Sequence, residues 1–241
     1  MPVSTSVIVT FLSALMTMCE ASGRKPLGVF GGTFDPLHFA HLRLAEEAVD
    51  ALGLSGVRWI PAGQPALRDS PKVSAAQRLE MVRLAIAGNP RFELDAAEVE
   101  SARPSYTVPT LERLRQPQVC GTERPLVLLV GADAFAGMTD WHRWEKLIDL
   151  AHIAVAHRPG YPVDTASLSP ALASLYHDRF CADPLLLAEV PAGRIATFAM
   201  TQLDISATRI RTLLSKAHSP RYLLPDVLVD HIQAHHFYSE I

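Results

Sequence analysis

Short apolar runs separated by amphipathic stretches divide the chain. Residues 27–30, 57–60, 126–130 and 152–156 are nearly unbroken apolar runs, and 126–130 has no polar position at all. Continuous runs of this length suit parallel strands covered on both faces. Residues 91–95 and 194–198 read as two further strands. Between them, 42–49 reads as an amphipathic helix, and so does 75–87, where Leu79, Val82, Leu84 and Ile86 are apolar among charges and Gly88-Asn89-Pro90 stops the pattern. Residues 159–170 read as a loop, and 171–193 are poorly patterned, with a helix expected near 172–176. A helix capped by Ser206 is expected to run to Lys216, and a closing amphipathic helix covers 225–236, with Val227, Leu228 and Ile232 apolar. Strands alternating with helices predict an α/β fold with a doubly wound parallel sheet and a small C-terminal helical part over 206–241.

One junction carries chemistry. The first strand runs into Gly31-Gly32-Thr33-Phe34-Asp35-Pro36-Leu37-His38-Phe39-Ala40-His41, and a helix follows. A strand, a glycine turn and a helix start together form a phosphate site, because glycine lets the backbone come close and free helix N–H groups point at the anion. His38 and His41 are three apart and share a face of the first helical turn, where imidazoles can donate to phosphate oxygens. Asp35 is read as holding the turn through backbone N–H groups. Asp133 follows the run 126–130, at a strand end where its carboxylate suits ribose hydroxyls or a helix cap. Ser206 and the N–H groups behind it can face a second anion.

These residues resemble the signature of the HxGH-type nucleotidyltransferase superfamily, whose members have a Rossmann-like fold. The Gly-Gly-Thr-Phe-Asp-Pro turn before the histidine pair is closest to bacterial nicotinate mononucleotide adenylyltransferases. The resemblance extends to Pro104-Ser105-Tyr106-Thr107, Trp141, His157-Arg158-Pro159 and Ile205-Ser206-Ala207-Thr208-Arg209-Ile210-Arg211, and so covers nearly all of the chain after residue 26. Ala40 stands where the family usually has glycine, and Leu67 where it often has histidine. The resemblance implies adenylyl transfer from ATP to nicotinate mononucleotide, with Mg²⁺ accompanying ATP. It implies an ATP site of Gly31, Gly32, Thr33, Phe34, His38, His41, Asp133, Ser206, Thr208 and Arg211, with His38, His41 and Arg211 serving the chemistry. It implies a mononucleotide site of Arg68, Tyr106, Thr107, Trp141 and Arg158. Three of these residues also have a plain alternative: Arg68 as a solvated loop charge, Thr107 (or its neighbour Ser105) as a helix cap, and Trp141, like Trp144, as a core anchor. Arg209 is expected to face solvent.

Composition narrows the picture further. Of 241 residues, 49% are hydrophobic and 20% charged, with a formal net charge of −3. Nothing in that balance suggests a polyanion binder, so small-molecule substrates are expected, not nucleic acid. Cys19, Cys120 and Cys181 form no Cys-x-x-Cys pair, which argues against a zinc site or a disulfide framework and fits a cytoplasmic location. The three histidines His231, His235 and His236 lack the partners of a metal site and are read as surface residues. Residues 7–18 are mostly apolar, but no Lys or Arg precedes them and they are too short to span a bilayer. Residues 1–26 are therefore read as an extension, with Met16 or Met18 as alternative starts or the segment as an outer helix, and 27–241 as one nucleotidyltransferase domain. A homo-oligomer is left open.

Overall fold

The computed structural model describes residues 25–66 and 70–239. Residues 1–24 and Arg68, on which several of the expectations above fall, lie outside that set. Six strands are described: β1 (Leu27–Gly32), β2 (Gly56–Pro61), β3 (Phe92–Leu94), β4 (Leu126–Gly131), β5 (His152–His157) and β6 (Ile195–Ala199). They form one sheet in the order β3-β2-β1-β4-β5-β6, and every pairing is parallel. The order reverses direction between β1 and β4, which makes the carboxyl ends of those two strands the topological switch point.

The apolar runs alternate between the two faces, as a period of two requires. Phe30, Val57, Trp59, Val127 and Leu129 pack on one face with α1 (Phe39–Leu52) and α2 (Ala75–Ile86), joined by α7 (Ala207–Ser215) and α8 (Asp226–Ala234). Leu27, Val29, Leu126, Leu128 and Val130 pack on the other with α3 (Thr107–Leu114), α4 (Ala132–Ala136), α5 (Leu147–Leu150) and α6 (Pro170–Arg179). All four helices on the first face, and α3 and α6 on the second, fall on stretches expected to be helical. The short α5 was not expected, since four residues leave almost no periodicity to read, and α4 was foreshadowed only by Asp133 as a possible cap, a place that Gly131 takes.

Two corrections concern α3. Neither Ser105 nor Thr107 caps it: the N-cap is Tyr106, which makes no side-chain cap hydrogen bond. The Ser105 hydroxyl instead accepts from the Gly63 N–H at 2.9 Å and the Gln64 N–H at 3.3 Å, tying the loop after β2 to the start of α3. Gly63 has no room for a side chain, because a Cβ there would lie 2.1 Å from the Glu98 carbonyl oxygen.

His152, at the start of β5, is fully buried. Its Nδ1 accepts from the Arg194 N–H at 3.1 Å and its Nε2 lies 2.9 Å from the Val190 carbonyl, so the ring carries its proton on Nε2. A second proton would break the Arg194 contact. Burial accordingly lowers its pKa to about 4.

Candidate active site

The loop leaving β1 forms the centre of the site. Phe34 adopts φ 51°, and its ring folds back over Gly32, where a Cβ would meet ring carbons at 2.8 Å. Gly32 is thus required by packing. At Gly31 the nearest atom to a Cβ would be the Ile60 carbonyl at 3.9 Å, so the backbone is approachable there.

His38 is the N-cap of α1, and His41 is its third residue. Their rings stack with centroids 3.8 Å apart, and Phe34 meets the His41 ring edge-on at 5.2 Å. The His38 backbone N–H donates to His41 Nδ1 at 3.3 Å, which leaves the His41 proton on Nε2. His38 is 5% exposed, and its Nδ1 has no hydrogen-bond partner among the described residues. Desolvation lowers its pKa to about 4, so it works as a neutral imidazole and not as the imidazolium that would bind phosphate most strongly.

His38 and His152 together predict a pH effect. Both pKa values are depressed in the fold from 6.5, so the unfolded chain takes up protons first as pH falls. Stability is complete above pH 6.5 and is lost progressively toward pH 4, by roughly 1 kcal/mol per histidine at pH 5.5. Urea unfolding at pH 7.5 and 5.5 checks this, and a midpoint that holds or rises on acidification would refute it.

Asp35 collects the neighbouring segments. Its Oδ2 accepts from the Lys72 backbone N–H at 2.8 Å, in keeping with the turn-holding role expected of it. Its carbonyl accepts from Arg211 Nη1 at 2.7 Å. Arg211 Nη2 also donates to Thr208 Oγ1 at 3.2 Å, so the motif arginine of α7 rests directly on the loop after β1. Ser206 caps α7 as expected, its hydroxyl accepting from the Arg209 N–H at 3.2 Å, and Arg209 itself is exposed. Ser206→Ala should cost about 1 kcal/mol, the usual value of a lost N-cap, measurable as a lower urea midpoint.

Arg78 was not singled out by its sequence context. It projects from α2, is 1% exposed, and donates to the Thr33 carbonyl at 2.7 Å and the Gly63 carbonyl at 2.9 Å. It therefore joins the loops that follow β1 and β2. The available signal was its position: Arg78, Met81, Val82 and Ile86 form the buried stripe of α2, and Arg78 lies within it.

The other expected site residues lie on or beside elements that follow β3, β4 and β5 in the chain. Asp133 lies exposed in the first turn of α4, which Gly131 caps. The Tyr106 ring lies 4.6 Å from that of His142, and Thr107 opens α3. Trp141 and Trp144 are both half-buried against the second core cluster. Arg158 is exposed just past the end of β5. His38, His41, Thr208 and Arg211 are brought together around the first loop; Tyr106, Thr107 and Trp141 belong to elements on the opposite face of the sheet.

Comparison with known proteins agrees with this geometry. The cytidylyltransferase-like family profile matches residues 29–213. A probable nicotinate-nucleotide adenylyltransferase of Dechloromonas aromatica (strain RCB) is 63% identical over 214 residues, covering 89% of this chain and 98% of the relative. One from Pseudomonas aeruginosa PAO1 is 44% identical over 215 residues, covering 89% and 97%. Among solved structures, Plasmodium falciparum nicotinic acid mononucleotide adenylyltransferase complexed with NaAD shares the fold, with a TM-score of 0.66 at 15% identity over 89% of this chain and 98% of that one. With that identity spread over nearly the whole of both sequences, this chain belongs to the cytidylyltransferase-like family and, within it, to the nicotinate-nucleotide adenylyltransferases.

Proposed function

We infer that this chain transfers the adenylyl group of ATP to nicotinate mononucleotide, releasing pyrophosphate and forming nicotinate adenine dinucleotide, a step of NAD biosynthesis. The mononucleotide phosphate attacks the α-phosphorus of ATP in line. That nucleophile is already an anion at neutral pH, so the chain needs neither a nucleophile of its own nor a strong base. It must align two anions and stabilise the charge that builds up on the departing pyrophosphate. The observation that carries this reading is the approach of Arg211 to the glycine loop beside the stacked His38 and His41, at the switch point of the sheet.

In this reading Gly31, Gly32, Thr33 and Phe34 form the wall along the triphosphate. His38, as a neutral imidazole, and His41, through Nε2, donate to it, Ser206 and Thr208 bring the start of α7 to it, and Arg211 grips it. Asp133 takes the ribose hydroxyls. Tyr106 and Thr107 face the nicotinate carboxylate, Trp141 offers its face to the pyridine ring, and Arg68 and Arg158 take the mononucleotide phosphate. Mg²⁺ accompanying ATP would screen the triphosphate charge. The Asp35 carboxylate already accepts from the Lys72 N–H and the Tyr238 hydroxyl, which leaves phosphate and water as the main ligands expected for the cation. Residues from 27 onward act as one domain, and the unpaired Cys120 and Cys181 suit the cytoplasm.

Pyrophosphate release from Mg-ATP, measured in parallel with nicotinate mononucleotide, nicotinamide mononucleotide and phosphopantetheine, tests the reading. A strong preference for the first is expected. Preference for another acceptor would reassign the substrate, and ATP binding without release would make the chain a nucleotide-binding regulator.

A further inference from the structure

Tyr238 follows α8, beyond the residues that the family profile matches. Its hydroxyl nonetheless donates to Asp35 Oδ1 at 2.8 Å, across 203 positions of sequence. The residue adopts φ 64°, a left-handed turn, and packs half-buried against the core cluster of α1, α2, α7 and α8. Burial and the Asp35 carboxylate push its phenol well above the ordinary value, so it remains a donor wherever the enzyme works. The other Asp35 oxygen accepts from the Lys72 N–H and lies 3.9 Å from Arg211 Nη1, while the Asp35 carbonyl carries the Arg211 guanidinium itself. One aspartate thus fastens the loop after β1 to the segment before α2, to α7 and to the C-terminal turn.

We propose that Tyr238 is a positioning residue for adenylyl transfer: by holding the Asp35 carboxylate it fixes the loop carbonyl on which Arg211 rests, and so aims that guanidinium at the ATP phosphates. The proposal rests on the ATP site described above. Tyr238 does not touch substrate; it acts through Asp35.

The test is Tyr238→Phe, which keeps the ring and removes the donor. Hydrogen bonds to charged groups are among the stronger ones, so kcat per folded molecule should fall about tenfold, with KM for nicotinate mononucleotide unchanged. A role confined to stability would lower the urea midpoint and leave kcat per folded molecule at the wild-type value, and that result overturns the proposal. Asp35→Asn should lose activity as well, and the double variant should lose little more than the worse single one, because both break the same chain of contacts. Losses that multiply would overturn the coupling. Calorimetric titration with ATP separates this from the assigned reaction. If wild-type protein binds ATP but releases no pyrophosphate with any acceptor, the reaction is misassigned. Weaker ATP binding by Tyr238→Phe would then still support the positioning role, and unchanged binding would overturn it.

Discussion

Replacing His41 by alanine is expected to lower kcat/KM by about 10²–10³, the scale of one lost transition-state donor. The geometry explains why this ring should matter. Its Nδ1 is taken by the His38 backbone N–H, so the proton is on Nε2 and the ring acts as an oriented donor. Stacking on His38 and the edge-on contact with Phe34 hold the ring plane. A donor held in place before the reaction loses little on reorganisation, which is why such groups act mainly on kcat. The variant should still fold, because α1 keeps its buried face of Leu44, Ala45, Ala48, Val49 and Leu52. Steady-state kinetics with a urea midpoint on the same preparation checks both halves. Wild-type turnover would remove His41 from the mechanism.

Arg78→Met should be strongly destabilising, costing about 3 kcal/mol. The side chain is buried and serves two carbonyls, Thr33 and Gly63, and each carbonyl left buried without a donor costs about 1–3 kcal/mol. Methionine fills much of the space but donates nothing. The natural control lies on the same helix: Arg83 is exposed and pairs with Glu80, and Arg83→Met should leave the midpoint nearly unmoved. Equal midpoints for the two variants would refute the bridging role. Activity of Arg78→Met should fall too, since the Thr33 carbonyl belongs to the loop beside His38.

The strands were legible because a parallel sheet covered on both faces writes itself as unbroken apolar runs, and 126–130 is β4 almost to the residue. The strand–loop–helix junction at Gly31 to His41 was legible because its glycines end an apolar run and an amphipathic stretch follows. The cap of α7 followed from Ser206 in the same way. What stayed hidden depends on contacts made across the fold. Arg78 looked like one of the surface charges of its helix, although its spacing from Met81, Val82 and Ile86 puts it on the buried stripe. Ser105 had the composition of a cap but is used to hold a neighbouring loop. Tyr238 and Asp35 are too far apart in sequence for any local pattern to join them.

All six strands of the sheet lie before residue 200, whereas Arg211 and Tyr238, which close the loop around Asp35, come from the last stretch of the chain. On the ribosome the whole sheet is therefore made before the residues that complete the phosphate loop have emerged. A nascent chain with every described strand made still lacks Arg211 and the Tyr238–Asp35 tie, so the loop after β1 reaches its final set of contacts only once residue 238 has been added.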